Sequence, residues 1–232
     1  MPTAAVYDWN MPLPSLEVTD DLRTAILSRA VLISAKRGQM IVTAGASSND
    51  LYLILEGRVH VSLPSPSGRE TVVREIMTNQ VFGELSAIDY QPRSADVIAV
   101  ENSKLAVLSS AKFVEMISEI PQASVWLAQH LSAQIRLLTS RIFELSTLAT
   151  GSRLHCELLR LAIANGAAGD TAVIKRAPTH ADFAARIGSN RETVTRELRL
   201  LNDEGVLEQT GRTLTIKSVA KLGGLVRASA GT

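Results

Sequence analysis

Seven aliphatic residues, Ala128, Leu131, Ile135, Leu138, Ile142, Leu145 and Ala149, recur at intervals of 3, 4, 3, 4, 3 and 4. No other feature restricts the fold as strongly. This spacing averages 3.5 residues, so on an α-helix it holds one narrow apolar stripe on a single side. A helix with such a stripe either lies on its own domain or pairs with a second copy of itself. Because the period stays at 3.5 without drifting toward 3.6, the spacing favours a homodimer built on a helix at 119–150. Ala149-Thr150-Gly151-Ser152 then reads as a hinge.

The chain on the two sides of this helix follows different periods. From Ile41 to Leu108, short β-branched and aliphatic runs alternate with turn signals: Leu51–Leu55 before Glu56-Gly57, Val59–Leu63 before Pro64-Ser65-Pro66-Ser67-Gly68, then Thr71–Ile76, Asp96–Val100 and Lys104–Leu108. Strands at this spacing predict a small antiparallel sandwich or barrel. Ahead of them, Pro2, Pro12 and Pro14 mark an irregular leader, and Thr19-Asp20-Asp21 reads as an N-cap with an acidic first turn. Ser110–Ser118 reads as a helix stopped near Pro121. Beyond the hinge, the order is helix (Arg153–Asn165), short strand (Val173-Ile174), helix (Thr179–Ile187), Gly188, helix (Ser189–Asn202) and a hairpin around Thr210-Gly211-Arg212. That order matches a winged helix-turn-helix. Ala228 to Thr232 reads as a frayed end.

Charge is informative only when divided. The net charge of +1 conceals 12 Lys+Arg against 15 Asp+Glu in residues 1–150, and 12 against 8 in residues 151–232. The basic excess points to a polyanion partner for the C-terminal part. A single cysteine, Cys156, excludes a disulfide framework, a thiolate zinc site and an iron–sulfur cluster held by this chain alone. It also makes a reducing cytoplasm the natural compartment. His60, His130, His155 and His180 are scattered, so a metal hydrolase starts weak. No apolar run approaches the roughly 18 residues of a membrane span, and Met1–Asn10 lacks the charge and hydropathy of a signal peptide.

Two constellations carry chemistry. In Val81-Phe82-Gly83-Glu84-Leu85-Ser86, followed by Arg93-Ser94-Ala95, Gly83 permits close backbone approach and a turn opening at Glu84 presents free N–H groups to an anion. Arg93 offers a permanently charged fork for phosphate oxygens, Ser94 a hydroxyl, and Glu84 an acceptor for a sugar hydroxyl. The plainer alternative is a turn held by a Glu84–Arg93 ion pair. In Gly188-Ser189-Asn190-Arg191-Glu192-Thr193-Val194-Thr195-Arg196, the residues Arg191, Glu192 and Thr195 share the N-terminal end of a helix, with Arg196 one turn on. Arginine can pair with guanine O6/N7 and glutamate can accept from cytosine N4, so this end suits a major groove. The alternative is a solvated helix with internal Arg–Glu pairs.

The first constellation resembles the phosphate-binding cassette of cyclic-nucleotide-binding domains, over roughly Ile33 to Ile117. The second resembles the recognition helix of the catabolite activator. Together, and in this order, they resemble the catabolite activator/FNR superfamily across nearly the whole chain. The resemblance implies an α+β protein: a jelly-roll-like, cyclic-nucleotide-binding β-roll (1–118), a long dimerisation helix with hinge (119–150) and a C-terminal winged helix-turn-helix (151–232). It implies cAMP as regulatory ligand by family frequency, with cGMP as the competitor, and no other cofactor. Glu84 would take the ribose 2′-hydroxyl and Arg93 the cyclic phosphate with Ser94-Ala95 beside it, while Gly83 and Leu85 would give backbone contacts. Thr139-Ser140 resembles the family's adenine-contacting pair; aligned from the hinge, Leu138-Thr139 falls there instead. The partners implied are double-stranded DNA with a two-fold-related operator, a second copy of the chain, and RNA polymerase. Arg191, Glu192 and Arg196 would read bases, flanked by Asn190 and Thr195, and Thr179 and Arg212 would contact phosphates.

This sequence departs from the family's best-known bacterial member in one respect. Arg93 follows Gly83 by ten residues, one fewer, as in kinase regulatory subunits. A hydroxyl next to the arginine, here Ser94, occurs in cGMP-binding relatives. Two other functions are weighed against this one. A same-fold regulator could sense another ligand or none, but an FNR-type cluster needs several cysteines. A nucleotide-hydrolysing enzyme would need a catalytic cluster, whereas Glu84 with Arg93 suits binding.

Overall fold

The computed structural model describes residues 17–64, 70–167 and 169–229. The proline leader, the turn at 65–68 and residues 230–232 lie outside the described residues. The described residues divide into two compact units, one up to Ile135 and the other from Arg136 onward.

The first unit begins with α1 (Asp20–Leu27), where Thr19 Oγ1 accepts from the Leu22 N–H as the expected N-cap. Eight strands follow: β1 (Val31–Ala35), β2 (Met40–Val42), β3 (Leu51–Glu56), β4 (Arg58–Pro64), β5 (Glu70–Met77), β6 (Val81–Phe82), β7 (Asp96–Ala99) and β8 (Ser103–Leu108). They pair antiparallel into two four-stranded sheets, ordered β1-β8-β3-β6 and β2-β7-β4-β5. This is the expected β-roll. Strand β3 shows why its run Leu51-Tyr52-Leu53-Ile54 is apolar without alternation. Leu51 and Leu53 pack with Phe113, Met116 and Leu127 from helices, while Tyr52 and Ile54 pack with Val59, Ile76, Val97 and Leu105 from strands. A strand buried on both faces needs apolar residues at every position.

Short α2 (Glu84–Asp89) interrupts the strands, and α3 (Ser110–Glu119) follows them. Pro121 does not simply end α3, as the sequence suggested; it is the first residue of α4 (Pro121–Thr147). Proline suits that position because the first N–H groups of a helix have no intrahelical acceptor. Ile120 before it is extended, as the proline ring demands. The division between the two units falls within α4.

The second unit contains the end of α4, then α5 (Thr150–Ala164), β9 (Ala172–Ile174), α6 (His180–Ile187), α7 (Arg191–Asp203), β10 (Leu207–Thr210), β11 (Thr213–Ile216) and α8 (Val219–Ser229). This is the expected winged helix-turn-helix, with the sheet ordered β10-β11-β9. Two details differ from the sequence reading. Thr150, Gly151 and Ser152 are helical within α5, so only Leu148 and Ala149 separate it from α4. Ala228 and Ser229 still belong to α8.

The end of α4 is fixed to the second unit by charge rather than by its stripe. Glu144 accepts from Arg160 at 2.6 and 3.0 Å, and Glu157 accepts from Arg141 (2.8 Å), Arg160 (3.1 Å) and Arg186 (3.1 Å). Both glutamates are buried. Stripe residues Leu138, Ile142 and Leu145 instead remain 47%, 68% and 55% exposed.

Candidate functional site

The turn from β6 into α2 places Gly83 at the α2 N-cap with φ +85°. A Cβ there would stand 2.6 Å from the Asp50 carbonyl oxygen and 2.7 Å from Arg93 Nη1, so only glycine fits. Gly83→Ala is expected to destabilise the protein by more than about 1–2 kcal/mol, the left-handed backbone penalty alone, because the contact adds to it. It should also displace the Arg93 guanidinium. Thermal unfolding and nucleotide titration of the variant check both outcomes.

Arg93 is buried at the strand-proximal end of the cassette. Its Nε donates to Ser48 Oγ (3.0 Å), Nη1 to the Gly83 carbonyl (3.2 Å) and Nη2 to the Asp50 carbonyl (2.8 Å). A guanidinium has five N–H groups, so each terminal nitrogen keeps one for another acceptor. Those two protons form a fork of the kind that grips two oxygens of one phosphate. The Tyr52 ring lies 5.7 Å from the guanidinium carbon and is itself stacked on Phe82 at 4.7 Å. Burial lowers the Arg93 pKa, while Tyr52, Asp50 and Glu84 oppose that shift. The residue remains a cation.

Glu84, at the first position of α2, is buried as well. The alternative Glu84–Arg93 ion pair is not what holds the turn; Arg93 bonds to carbonyls and a serine, and Glu84 turns toward α4. Gln134 Nε2 donates to Glu84 Oε1 at 2.7 Å and stands 2.7 Å from His130 Nε2. The His130 ring stacks on Trp126 at 5.0 Å, and its Nδ1 is buried with no hydrogen-bond partner among the described residues. Burial pushes the Glu84 carboxyl up, but the His130 and Gln134 side chains outweigh it and leave the pKa lowered. The carboxylate is therefore charged at neutral pH. Its second oxygen is the acceptor left for a sugar hydroxyl.

Leu85 and Ser94 are exposed and Ala95 is half-buried. Thr139 and Ser140 lie farther along α4, in the other compact unit, the first exposed and the second half-buried. Sequence reasoning missed Ser48, Asp50, Tyr52, His130 and Gln134. Trp126, His130 and Gln134 did carry a signal, since spacings of four put them on one face of a helix. The acceptors from the β2–β3 loop carried none.

In the second unit, Val194, Leu198 and Leu201 of α7 are buried with Phe183 and Ile187 of α6. That packing leaves Arg191, Glu192, Thr195, Arg196 and Arg199 on the exposed side. The spacing of Arg199, three beyond Arg196, would have found it. Asn190 is exposed at the N-cap of α7 and accepts from the Thr193 N–H at 2.8 Å. Thr195 Oγ1 donates to the Arg191 carbonyl and stands 2.8 Å from His180 Nδ1. Arg196 lies 3.7 Å from Glu197, a weak exposed pair. Thr179 caps α6 in a reciprocal box with Asp182, which occupies its hydroxyl proton. Gly188, at φ +61°, makes the turn between α6 and α7. Arg212 is exposed at the tip of the β10–β11 hairpin.

Residues 32–119 match the family described as a cyclic nucleotide-binding domain, and residues 152–225 the Crp-like helix-turn-helix domain. The chain is 30% identical over 186 residues to the cyclic AMP receptor protein of Thermus thermophilus, covering 80% of this chain and 83% of the relative. It is 25% identical over 187 residues to a CRP-like cAMP-activated global transcriptional regulator of Mycobacterium tuberculosis, covering 80% and 84%. Among solved structures, a CooA mutant from Carboxydothermus hydrogenoformans superposes with a TM-score of 0.80 at 20% identity, covering 93% of this chain and 100% of that one. A CRP/FNR-family transcriptional regulator from T. thermophilus superposes with a TM-score of 0.69 at 27% identity, covering 86% and 100%.

Proposed function

The chain belongs to the CRP/FNR superfamily of transcription regulators, and on that premise we propose that it is a homodimeric, sequence-specific DNA-binding regulator whose grip on DNA is set by cAMP or cGMP. The observation that carries this reading is the buried Arg93 guanidinium. Three of its N–H groups are fixed by the protein and two are left as a fork, with a charged Glu84 on the next element. That is a site for one phosphate and one hydroxyl. It offers no means of cleaving either, which favours a binding protein over an enzyme.

We assign residues 1–118 to sensing, 119–150 to dimerisation and 151–232 to DNA. Exposed Leu138, Ile142 and Leu145 on a 3.5-residue period support pairing through α4. Thr139 or Ser140 supplies a hydroxyl to the base in this reading. Arg191, Glu192 and Arg196 read bases, with Asn190 and Thr195 beside them, and Arg212 contacts phosphates. The Thr179 hydroxyl and N–H both go to Asp182, which leaves Thr179 a cap rather than a phosphate donor. The dimer would place two α7 helices in successive major grooves of a two-fold-related operator, contact RNA polymerase and work in the cytoplasm. Differential affinity of the ligand for two arrangements of the dimer is what would couple the sites.

One observation favours a second reading, a regulator of this fold answering to another ligand or to none. Gln134 and His130 already occupy one side of Glu84. Titration of cAMP and cGMP into the protein, with DNA binding as the readout, separates the two. DNA affinity that rises with nucleotide supports the first, and unchanged affinity supports the second. Arg191→Ala in the same assay is expected to cost about 1–3 kcal/mol of specific binding and relax base preference at one half-site position. An unchanged preference would remove Arg191 from base readout.

A further inference from the structure

A second arginine lies on the inner face of the β-roll, on β5. Arg74 pairs across the sheet with Val61 of β4, and Ile76, two residues on and so on the same face, is buried among Tyr52, Phe82 and Val59. Glu75 between them turns the other way, to Arg58 and His60. The β4–β5 register shifts between Val61 and Ser62, next to Arg74. Bulges of this kind re-aim a side chain. Arg74 Nη2 is buried, and among the described residues nothing accepts a hydrogen bond from it. The charge that acts on it is Glu84, the same carboxylate that acts on Arg93.

Leaving a desolvated guanidinium nitrogen unpaired is unfavourable, and the ordinary remedy is an acceptor of matching geometry. The reading above assigns Arg93 to the phosphate and Glu84 to the sugar, so the ligand's remaining moiety is its base. Guanidinium groups only donate. Guanine presents two acceptors side by side, O6 and N7, whereas adenine sets the N6 amino donor beside N7. An arginine therefore matches guanine twice and opposes adenine once.

We propose that Arg74 is a base-recognition residue of the ligand site and selects a guanine-bearing cyclic mononucleotide over cAMP. This rests on the assignment of the site to a cyclic nucleotide and adds which one. It makes the inner face a three-point reader: Arg93 for phosphate, Glu84 for the sugar and Arg74 for the O6/N7 edge.

Calorimetry with cGMP, cIMP and cAMP on the full chain tests it, since cIMP keeps O6 and N7 but lacks the 2-amino group. The expected result is that cGMP and cIMP both bind tighter than cAMP by about tenfold or more, the range of one bidentate pair. Arg74→Met should abolish that preference, with cGMP and cIMP falling to the affinity of cAMP and the thermal midpoint staying close to wild type. Arg74→Lys, which keeps the charge but not the fork, should lose most of the preference and so separates geometry from charge. Equal binding of the three nucleotides, tighter binding of cAMP, or a preference that survives Arg74→Met would overturn the assignment of Arg74 alone. If Arg74→Met weakens all three equally, the residue serves the phosphate and the base assignment falls. Failure of all three to bind wild-type protein would remove the cyclic-nucleotide reading, and this one with it.

Discussion

Arg93→Ala is expected to abolish cyclic-nucleotide binding. Truncating one partner of a buried, hydrogen-bonded charge pair costs about 2–5 kcal/mol, which is roughly 30- to 5,000-fold in affinity. The upper part of that range applies because the guanidinium has two functions. Its fork faces the ligand, and its other three N–H groups tie Ser48, the Asp50 carbonyl and the Gly83 carbonyl together. Arg93→Lys separates them. A lysine keeps one positive charge but cannot hold three separate acceptors and still present two parallel donors. It should retain the fold while losing most of the affinity. Calorimetry and thermal unfolding on both variants check this, and nucleotide affinity that survives in Arg93→Ala would exclude Arg93 as the phosphate ligand.

Glu157→Gln is expected to have the largest effect on stability. Glu157 is buried and accepts from arginines on three helices, Arg141 of α4, Arg160 of α5 and Arg186 of α6. Removing one member of such a cluster costs about 3–5 kcal/mol, because the remaining charges stay buried without compensation. Here Glu144 would face Arg160 and Arg141 alone. Burial pushes the Glu157 carboxyl up, but the three guanidinium groups hold it far below the usual carboxylate range. A depressed folded-state pKa gives stability that is fully present above the unfolded value, about 4.3 for glutamate, and is lost as pH falls from there through the folded pKa. The wild-type advantage over Glu157→Gln should therefore be constant at neutral pH and shrink progressively below about pH 4. Denaturant unfolding of both proteins between neutral and acid pH measures it. A difference that stayed constant on acidification would show that the charge of Glu157 is not what stabilises this unit.

The same cluster settles the status of the one cysteine. Burial first, then the neighbouring Glu144, pushes the Cys156 thiol up to about 12. Held as a thiol, it packs as a small apolar side chain among Leu154, Leu158 and Leu159.

Legibility in the sequence followed the range of the interactions. Strand runs from Leu51 to Leu108, the Thr19 cap, the start of a helix at Thr179 and the Gly188 turn were readable because each depends on residues within one turn of one another. The exposed side of α7 was readable for the same reason: Val194, Leu198 and Leu201 set its buried face, and the charged residues fall opposite. The misreadings were also local. In the sequence Pro121 reads as a stop when the same chemistry makes it a start, and Gly151 reads as a hinge when it is helical.

By itself, then, the sequence determined where periods change, which residues cap and turn, and which short motifs carry charge, since these are matters of spacing along one chain. Only the tertiary structure decided which acceptors consume the N–H groups of Arg93, that Gln134 rather than Arg93 meets Glu84, that three arginines converge on Glu157, and that Arg74 Nη2 is buried with no acceptor among the described residues. Asp50 and Arg93 are 43 positions apart, and Gln134 and Glu84 are 50 apart. Burial and pairing at such separations depend on how sheets and helices pack, and those contacts set the energies of the charges in the site.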